Sequence, residues 1–144
     1  MPIDKSGEWW KGSEYADLQE YLGLLDTEGY LVERVVQSVC TCGGIVFRLQ
    51  ADAEQGCAAR TCVTCSARAF ICDSGDYWGE AEPEWVRCSC GSERFEIGVG
   101  FAFRADGDVR WITIGVRCTA CGVLGRPVDW KIDYGPTAHL LQQA

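Results

Sequence analysis

Positive charge is scarce in this chain. Thirteen lysines and arginines stand against 21 aspartates and glutamates in 144 residues, for a formal charge of -8. Lysine occurs only at Lys5, Lys11 and Lys131, and the arginines are scattered without a run. Affinity for nucleic acid comes largely from neutralising phosphates, so this distribution argues against a nucleic-acid binder. A protein partner fits better, and net charge alone favours a basic one. Histidine is scarcer still. His139 is the only one and lies near the chain end, which sets it aside as metal ligand and general base and leaves no Ser-His-Asp set. No G-x-x-x-x-G-K-[ST] phosphate loop is present. No catalytic residue and no organic cofactor is expected, and the chain reads as a non-enzyme. No apolar run approaches the roughly 18 residues that a membrane helix needs. The opening residues lack the apolar core of a secretory signal, so a reducing, cytoplasmic setting is expected.

Cysteine, by contrast, is abundant. Ten occur, and eight form four close pairs: Cys40/Cys42, Cys62/Cys65, Cys88/Cys90 and Cys118/Cys121. Their order is CxC, CxxC, CxC, CxxC, which is an internal repeat. Both CxC pairs are followed by glycine, Gly43 and Gly91. Counting from the last cysteine of each CxxC, Asp73 matches Asp129, Trp78 matches Tyr134 and Gly79 matches Gly135. The repeat divides the chain into residues 1–36, a helix with a lead-in strand; 37–84, a first module with an acidic linker; and 85–144, a second module with a tail. The Gly79–Glu84 linker is short, so the modules should touch.

The second module is longer by eight residues between its cysteine pairs. Residues 94–103 are rich in aromatic and β-branched residues, 105–108 carry turn chemistry, and 109–117 return as a strand. This predicts a long β-hairpin with a cysteine pair at each side of its base. Residues 45–50 and 58–61 predict a shorter one, with Gly56 in the turn. A third strand is expected after each CxxC, at 68–72 and 128–134. Upstream, Tyr15, Leu18, Tyr21, Leu22 and Leu25 recur at helical spacing. Ser13 is the expected cap, with Glu14 and Asp17 near the positive end of the helix. The helix should stop before Gly29, a strand over 31–39 should lead into Cys40, and the C-terminal residues after Pro136 should form no more than a frayed turn.

Antiparallel strands return to their starting point, so pairs at both ends of a hairpin bring four sulfurs together. Thiolate is the preferred ligand of structural zinc. Two zinc sites are therefore expected: Cys40, Cys42, Cys62 and Cys65, then Cys88, Cys90, Cys118 and Cys121. Iron is the rival metal, because four thiolates suit it too. Each four-thiolate zinc site carries two negative charges, which takes the formal charge from -8 to about -12. Cys57 and Cys72 have no counterparts in the second module. They read as small buried residues on adjacent strands, with a redox pair as the sharper alternative. Asp73 and Asp129 should cap turns or accept from the knuckle backbone. Of the six tryptophans, Trp111 and Trp130 fall in strand patterns. Trp9 and Trp10 should pack the helix onto the sheet, or else present a partner surface.

CxCG…CxxC around a β-hairpin, twice, resembles the zinc-ribbon class. The resemblance covers about residues 37–135 and rests on the eight paired cysteines with Gly43, Gly91 and Gly122. It implies a mainly β fold of two tandem, pseudo-symmetric, three-stranded ribbons beside one N-terminal helix. Rubredoxins hold iron on similar knuckles but with two CxxC pairs, so the CxC halves here favour zinc. The class hosts protein docking, nucleic-acid contact and scaffolding alike, so the fold does not fix the function. The expectation is a non-enzymatic structural-zinc protein acting as a protein-protein interaction or neutralising accessory module. The alternatives are a nucleic-acid-associated ribbon and a redox or metal-handling protein of iron or zinc.

Overall fold

The computed structural model describes residues 3–7, 9–24, 26–27 and 30–144. In chain order the elements are α1 (Tyr15–Gly23), β1 (Asp26–Thr27), β2 (Tyr30–Leu31), β3 (Arg34–Gln37), β4 (Phe47–Asp52), β5 (Cys57–Cys62), β6 (Arg68–Phe70), β7 (Glu84–Trp85), β8 (Phe95–Phe103), β9 (Val109–Cys118) and β10 (Leu124–Lys131). Strands β3 to β10 form one antiparallel sheet of eight, and the expected mainly β fold with one N-terminal helix is what is seen. Among the described residues no helix is long and apolar enough to cross a membrane.

Both expected hairpins form. In the longer one, Gly107 takes φ +90°, and the Asp108 N–H donates to the Asp106 carboxylate at 2.9 Å. In the shorter one, Gly56 takes φ +72°, and Asp52 accepts from the N–H groups of Glu54 and Gln55. Side-chain acceptors at such turns replace the missing ladder partners.

The two hairpins join in an exchange that local pattern does not reveal. The main path of the sheet runs β10-β9-β8-β4-β5-β6, with β4 paired to β8 through Phe47 and Phe95. With Cys40 aligned on Cys88, Phe47 and Phe95 are corresponding residues. A residue that faces its own counterpart in antiparallel register marks a local two-fold axis. The lead-in strands obey the same axis. Strand β3, before the first knuckle, pairs with β8 of the second hairpin; β7, before the second knuckle, pairs with β4 of the first. Gln37 faces Gly98, and its counterpart Trp85 faces Gln50. The next bonds also match: the Ser38 N–H donates to the Ile97 carbonyl at 2.9 Å, and the Val86 N–H to the Leu49 carbonyl at 2.8 Å.

Strand β8 therefore lies in the middle of the sheet, and all but its last residue are buried. Helix α1 covers one of its faces. Gly98 and Gly115 face each other across β8 and β9 and leave a shallow seat for Leu22. A Cβ at Gly115 would lie 2.6 Å from Leu22 Cδ2, and one at Gly98 would lie 3.2 Å from Leu22 Cδ1. These glycines admit a close approach, as their place in a strand pattern suggests. Burying Leu22 contributes about 1.5–3 kcal/mol. Trp10 packs edge-on against Tyr21 of the helix, whereas Trp9 remains half exposed.

Several details depart from expectation. The strand expected over 31–39 is held to β3 at Arg34–Gln37, beyond the short β2. The last strand runs over Leu124–Lys131 rather than 128–134. The start of α1 is held by Asp17 rather than Ser13. Its buried carboxylate accepts from the N–H of Ser13 at 2.7 Å, the Ser13 hydroxyl at 3.2 Å and the N–H of Glu14 at 3.3 Å. The tail is also no frayed turn. Residues Ala138–Gln143 form a short 3-10 helix with Leu140 buried. The Cys72 N–H donates to the Gln143 carbonyl, and the Ser38 hydroxyl to the carbonyl of Ala144. These contacts tie the tail to residues of the first module. Leu25 and Gly29, part of the helix expectation, lie outside the described residues.

The seat of Leu22 makes a coupled prediction. Leu22→Ala should cost about 2–5 kcal/mol by chemical denaturation, and Gly115→Val about 1–3 kcal/mol by overpacking. The double variant should lose clearly less than the sum, because the smaller side chain vacates the space the valine enters.

Candidate metal centres

The eight paired cysteines come together in two groups of four. All four sulfurs within each group lie within 4.8 Å of one another. In the first, the sulfurs of Cys40 and Cys65 are 3.5 Å apart, and those of Cys42 and Cys62 are 3.6 Å apart. In the second, Cys88 and Cys121 are 3.4 Å apart, and Cys90 and Cys118 are 3.6 Å apart. A tetrahedron of thiolates about 2.3 Å from zinc has edges of about 3.8 Å, so both groups fit such an ion with little movement.

The knuckles that hold the sulfurs are the same turn built twice. The Gly43 N–H donates to the Cys40 carbonyl, and the Gly91 N–H to the Cys88 carbonyl, both at 2.8 Å. Gly43 and Gly91 take φ near +90°, a region that a Cβ disfavours. At the CxxC knuckles, the Ser66 N–H donates to the Cys62 carbonyl at 2.9 Å, and the Gly122 N–H to the Cys118 carbonyl at 2.8 Å. Here the correspondence holds in backbone but not in residue type. Ser66 adopts φ +65° where its counterpart Gly122 adopts +81°. Only the second of these positions carries the glycine signal.

Backbone N–H groups aim at the sulfurs and hold some of them as thiolates. The N–H of Cys42, with help from the Cys65 thiol, lowers the Cys40 pKa to about 6. Burial pushes the Cys118 thiol up, yet the N–H groups of Cys121 and Ala120 outweigh it and bring it down to about 7. Within each group the charge then crowds a neighbour. Against the N–H of Gly44, the three sulfurs around Cys42 drive it up to about 12, and burial with the neighbouring sulfurs does the same to Cys121. A metal-free group is therefore part thiolate and part thiol. A divalent cation would relieve that crowding.

The two centres differ in what surrounds them. Arg60 stands two residues before Cys62 on β5, hence on the same strand face, and its guanidinium lies 4.7 Å from the Phe47 ring centroid. Phe47 faces Cys62 across the ladder. Burial lowers the Arg60 pKa, and the charges of Cys40 and Cys62 oppose that shift. The counterpart of Arg60 in the second module is Val116, a buried apolar residue. Sequence reasoning missed Arg60, although its position two before a ligand on a strand was the available signal. The second centre has a different neighbour: the N-terminal segment. The Gly12 N–H donates to the Gly122 carbonyl at 2.8 Å, and the Leu124 N–H to the Trp10 carbonyl at 2.8 Å.

The remaining candidates resolve individually. Cys57 and Cys72 are both buried free thiols, with no disulfide between them. Cys57 sits on β5. Cys72 lies beyond the end of β6 at φ +55°, not on a strand, and its thiol donates to the Leu140 carbonyl at 3.4 Å. Burial raises both thiol pKa values. Asp73 does not serve the knuckle backbone. Its carboxylate accepts from the Trp130 indole N–H at 3.1 Å and the Tyr134 hydroxyl at 2.6 Å, linking the end of the first module to the second. Its counterpart Asp129 stands on β10 opposite Thr113. His139 is exposed and belongs to neither sulfur group.

Comparison with known protein families, curated proteins and solved structures finds no match for this chain. The likeness to zinc ribbons therefore rests on the knuckles and hairpins themselves.

Two outcomes are expected in solution. Thiols of the metal-free chain keep protons over much of the neutral range, and metal binding must displace them. Zinc affinity, measured by chelator competition between pH 6 and 8, should therefore rise by about tenfold or more per pH unit. In the metal-loaded protein no cysteine should react quickly with a thiol reagent, because Cys57 and Cys72 are buried. Chelation should release the eight ligand thiols and, as the sheet is lost, make Cys57 and Cys72 reactive with them.

Proposed function

We propose that this chain is a structural-zinc protein that works as a non-enzymatic module for binding a protein partner. The observation that carries the metal reading is the closed donor set. Each centre supplies four sulfurs from two facing knuckles, which fills a tetrahedron and leaves no position for a substrate or an attacking water. Catalytic zinc sites keep such a position open. Zinc is favoured over iron because two of the four knuckles are CxC turns. The sulfur groups would then stabilise the hairpins outright, at about 10 kcal/mol per site as an upper order of magnitude.

The interaction reading is supported by surface rather than by chemistry. Trp9, Phe70, Trp85 and Tyr134 remain substantially exposed on a chain of ordinary apolar content. Exposed aromatics of this kind supply anchors at protein interfaces. The cytoplasmic setting proposed for the chain would keep the eight ligand thiols reduced and available to metal.

Elemental analysis of purified protein should return two zinc ions per chain in a colourless solution. Removal of zinc with EDTA should abolish the sheet signal in circular dichroism, and readdition under reducing conditions should restore it. Visible thiolate-to-iron absorption would assign the centres to iron. A metal-free chain that kept its sheet and its melting temperature would sink the structural-metal reading altogether.

A further inference from the structure

The two centres carry the same sulfurs but not the same charge. Four thiolates around one divalent cation leave about -2 at each loaded centre. At the first, Arg60 stands two residues before Cys62 on β5, so both side chains share a strand face. Its guanidinium lies 4.7 Å from the ring centroid of Phe47, the residue opposite Cys62. The residue is half-buried, and its Nε makes no hydrogen bond. No carboxylate forms an ion pair with it among the described residues. Burial works against its charge, and the charges of Cys40 and Cys62 work for it. A half-buried cation needs an opposite charge nearby, and the sulfur group is the one that acts on it. The matched position at the second centre is Val116, buried and uncharged. The next residue on β9, Arg117, points to the other face and is held by Glu96 at 2.7 Å.

From this asymmetry we infer that Arg60 is the counter-charge of the first loaded centre and that the second centre is the redox-labile one. The inference rests on the structural-zinc reading and adds an order of loss. A metal-bound thiolate attacks electrophiles through its sulfur lone pair, and a cation beside it draws that density back. At a half-buried position water screens such a charge little. The oxidant is a peroxide. A thiolate sulfur takes one peroxide oxygen, the O–O bond breaks, and the departing hydroxide picks up a proton. A second thiolate then attacks the sulfenic sulfur, the S–O bond breaks, and a disulfide forms as another hydroxide leaves and is protonated. Two electrons pass from two sulfurs to the peroxide, and the centre loses two of its four donors. At the second centre a partner thiolate is at hand, because Cys88 and Cys121 are 3.4 Å apart and Cys90 and Cys118 are 3.6 Å apart. Access alone predicts the reverse order. Cys42 and Cys65 of the first centre are both exposed, whereas the second has Cys90 exposed and Cys121 half-buried. A peroxide is small and finds an exposed sulfur at either centre, so charge rather than access sets the order.

The full chain loaded with zinc at both centres tests it. Excess hydrogen peroxide is added, and released zinc is followed with a chromogenic chelator. Release should come in two phases, one equivalent at least about fivefold faster than the other. Quenching after the first phase and mapping oxidised cysteines by peptide mass spectrometry should find them at Cys88, Cys90, Cys118 and Cys121. Arg60→Met keeps most of the side-chain bulk without the charge, and it should bring the slow phase to within about twofold of the fast one. Arg60→Lys keeps the charge and should leave that phase slow. A merely structural role would not sort the two variants by charge. A full zinc load certifies each variant, and the mapping in the unaltered chain decides the order without them. Oxidation that begins at the first centre, or at both alike, overturns the proposal. So does an Arg60→Met chain whose two phases stay as far apart as before. Either result leaves the structural-metal reading standing. A chain that takes up no metal sinks that reading before peroxide is added, and the inference with it.

Discussion

Four sulfurs must meet at one point, twice, and most of the architecture follows from that requirement. A sulfur pair offered from a single tight turn needs backbone N–H groups aimed inward, which forces a left-handed residue at the end of the turn. Gly43, Gly91 and Gly122 accept that conformation freely; Ser66 accepts it at a steric cost. Two such turns can face each other only if the strands between them return in register. Phe47 therefore lies opposite Cys62, and Phe95 opposite Cys118. The same two phenylalanines then face each other and join the halves into one sheet. The sulfur geometry, the hairpin register and the central contact of the fold form a single chain of constraint.

Much of this was legible in the sequence because it is local or periodic. The cysteine pairs, the turn residues and the alternating runs of 94–103 and 109–117 each carry their structural meaning within a few positions. The exchange of lead-in strands was not legible. Residues 34–37 and 84–85 look like strands in either arrangement, and only tertiary geometry decides which hairpin they join. Asp73 failed as a reading for a related reason. Its repeat partner Asp129 suggested a shared local duty, yet its acceptors serve Trp130 and Tyr134, distant in sequence. At the start of the helix, Ser13 had the right residue type, but the carboxylate of Asp17 could reach three donors at once. The docked tail was invisible because its contacts, to Cys72 and Ser38, depend on where the rest of the chain has already gone.

Charge shows the same limit of summed properties. A total of -8 describes how the molecule behaves at a distance, where salt and averaging leave only the net field. Within a contact it says little. Arg60 is placed beside the first sulfur group, and Arg48 and Arg87 are gathered around one glutamate. Both arrangements concentrate scarce positive charge where negative charge is also concentrated.

The reciprocal strand exchange has a consequence for how such a molecule can change. In a symmetric pair of identical chains, every substitution appears on both sides of the axis. Here both sides belong to one chain, so each half can drift while the other keeps the shared geometry. The products of that freedom are visible at matched positions: Arg60 against Val116, Ser66 against Gly122, a short hairpin against a long one. Arg87 belongs to the same set, because its counterpart is Val39, which bears no charge. A shape with two equivalent faces has acquired a front and a back.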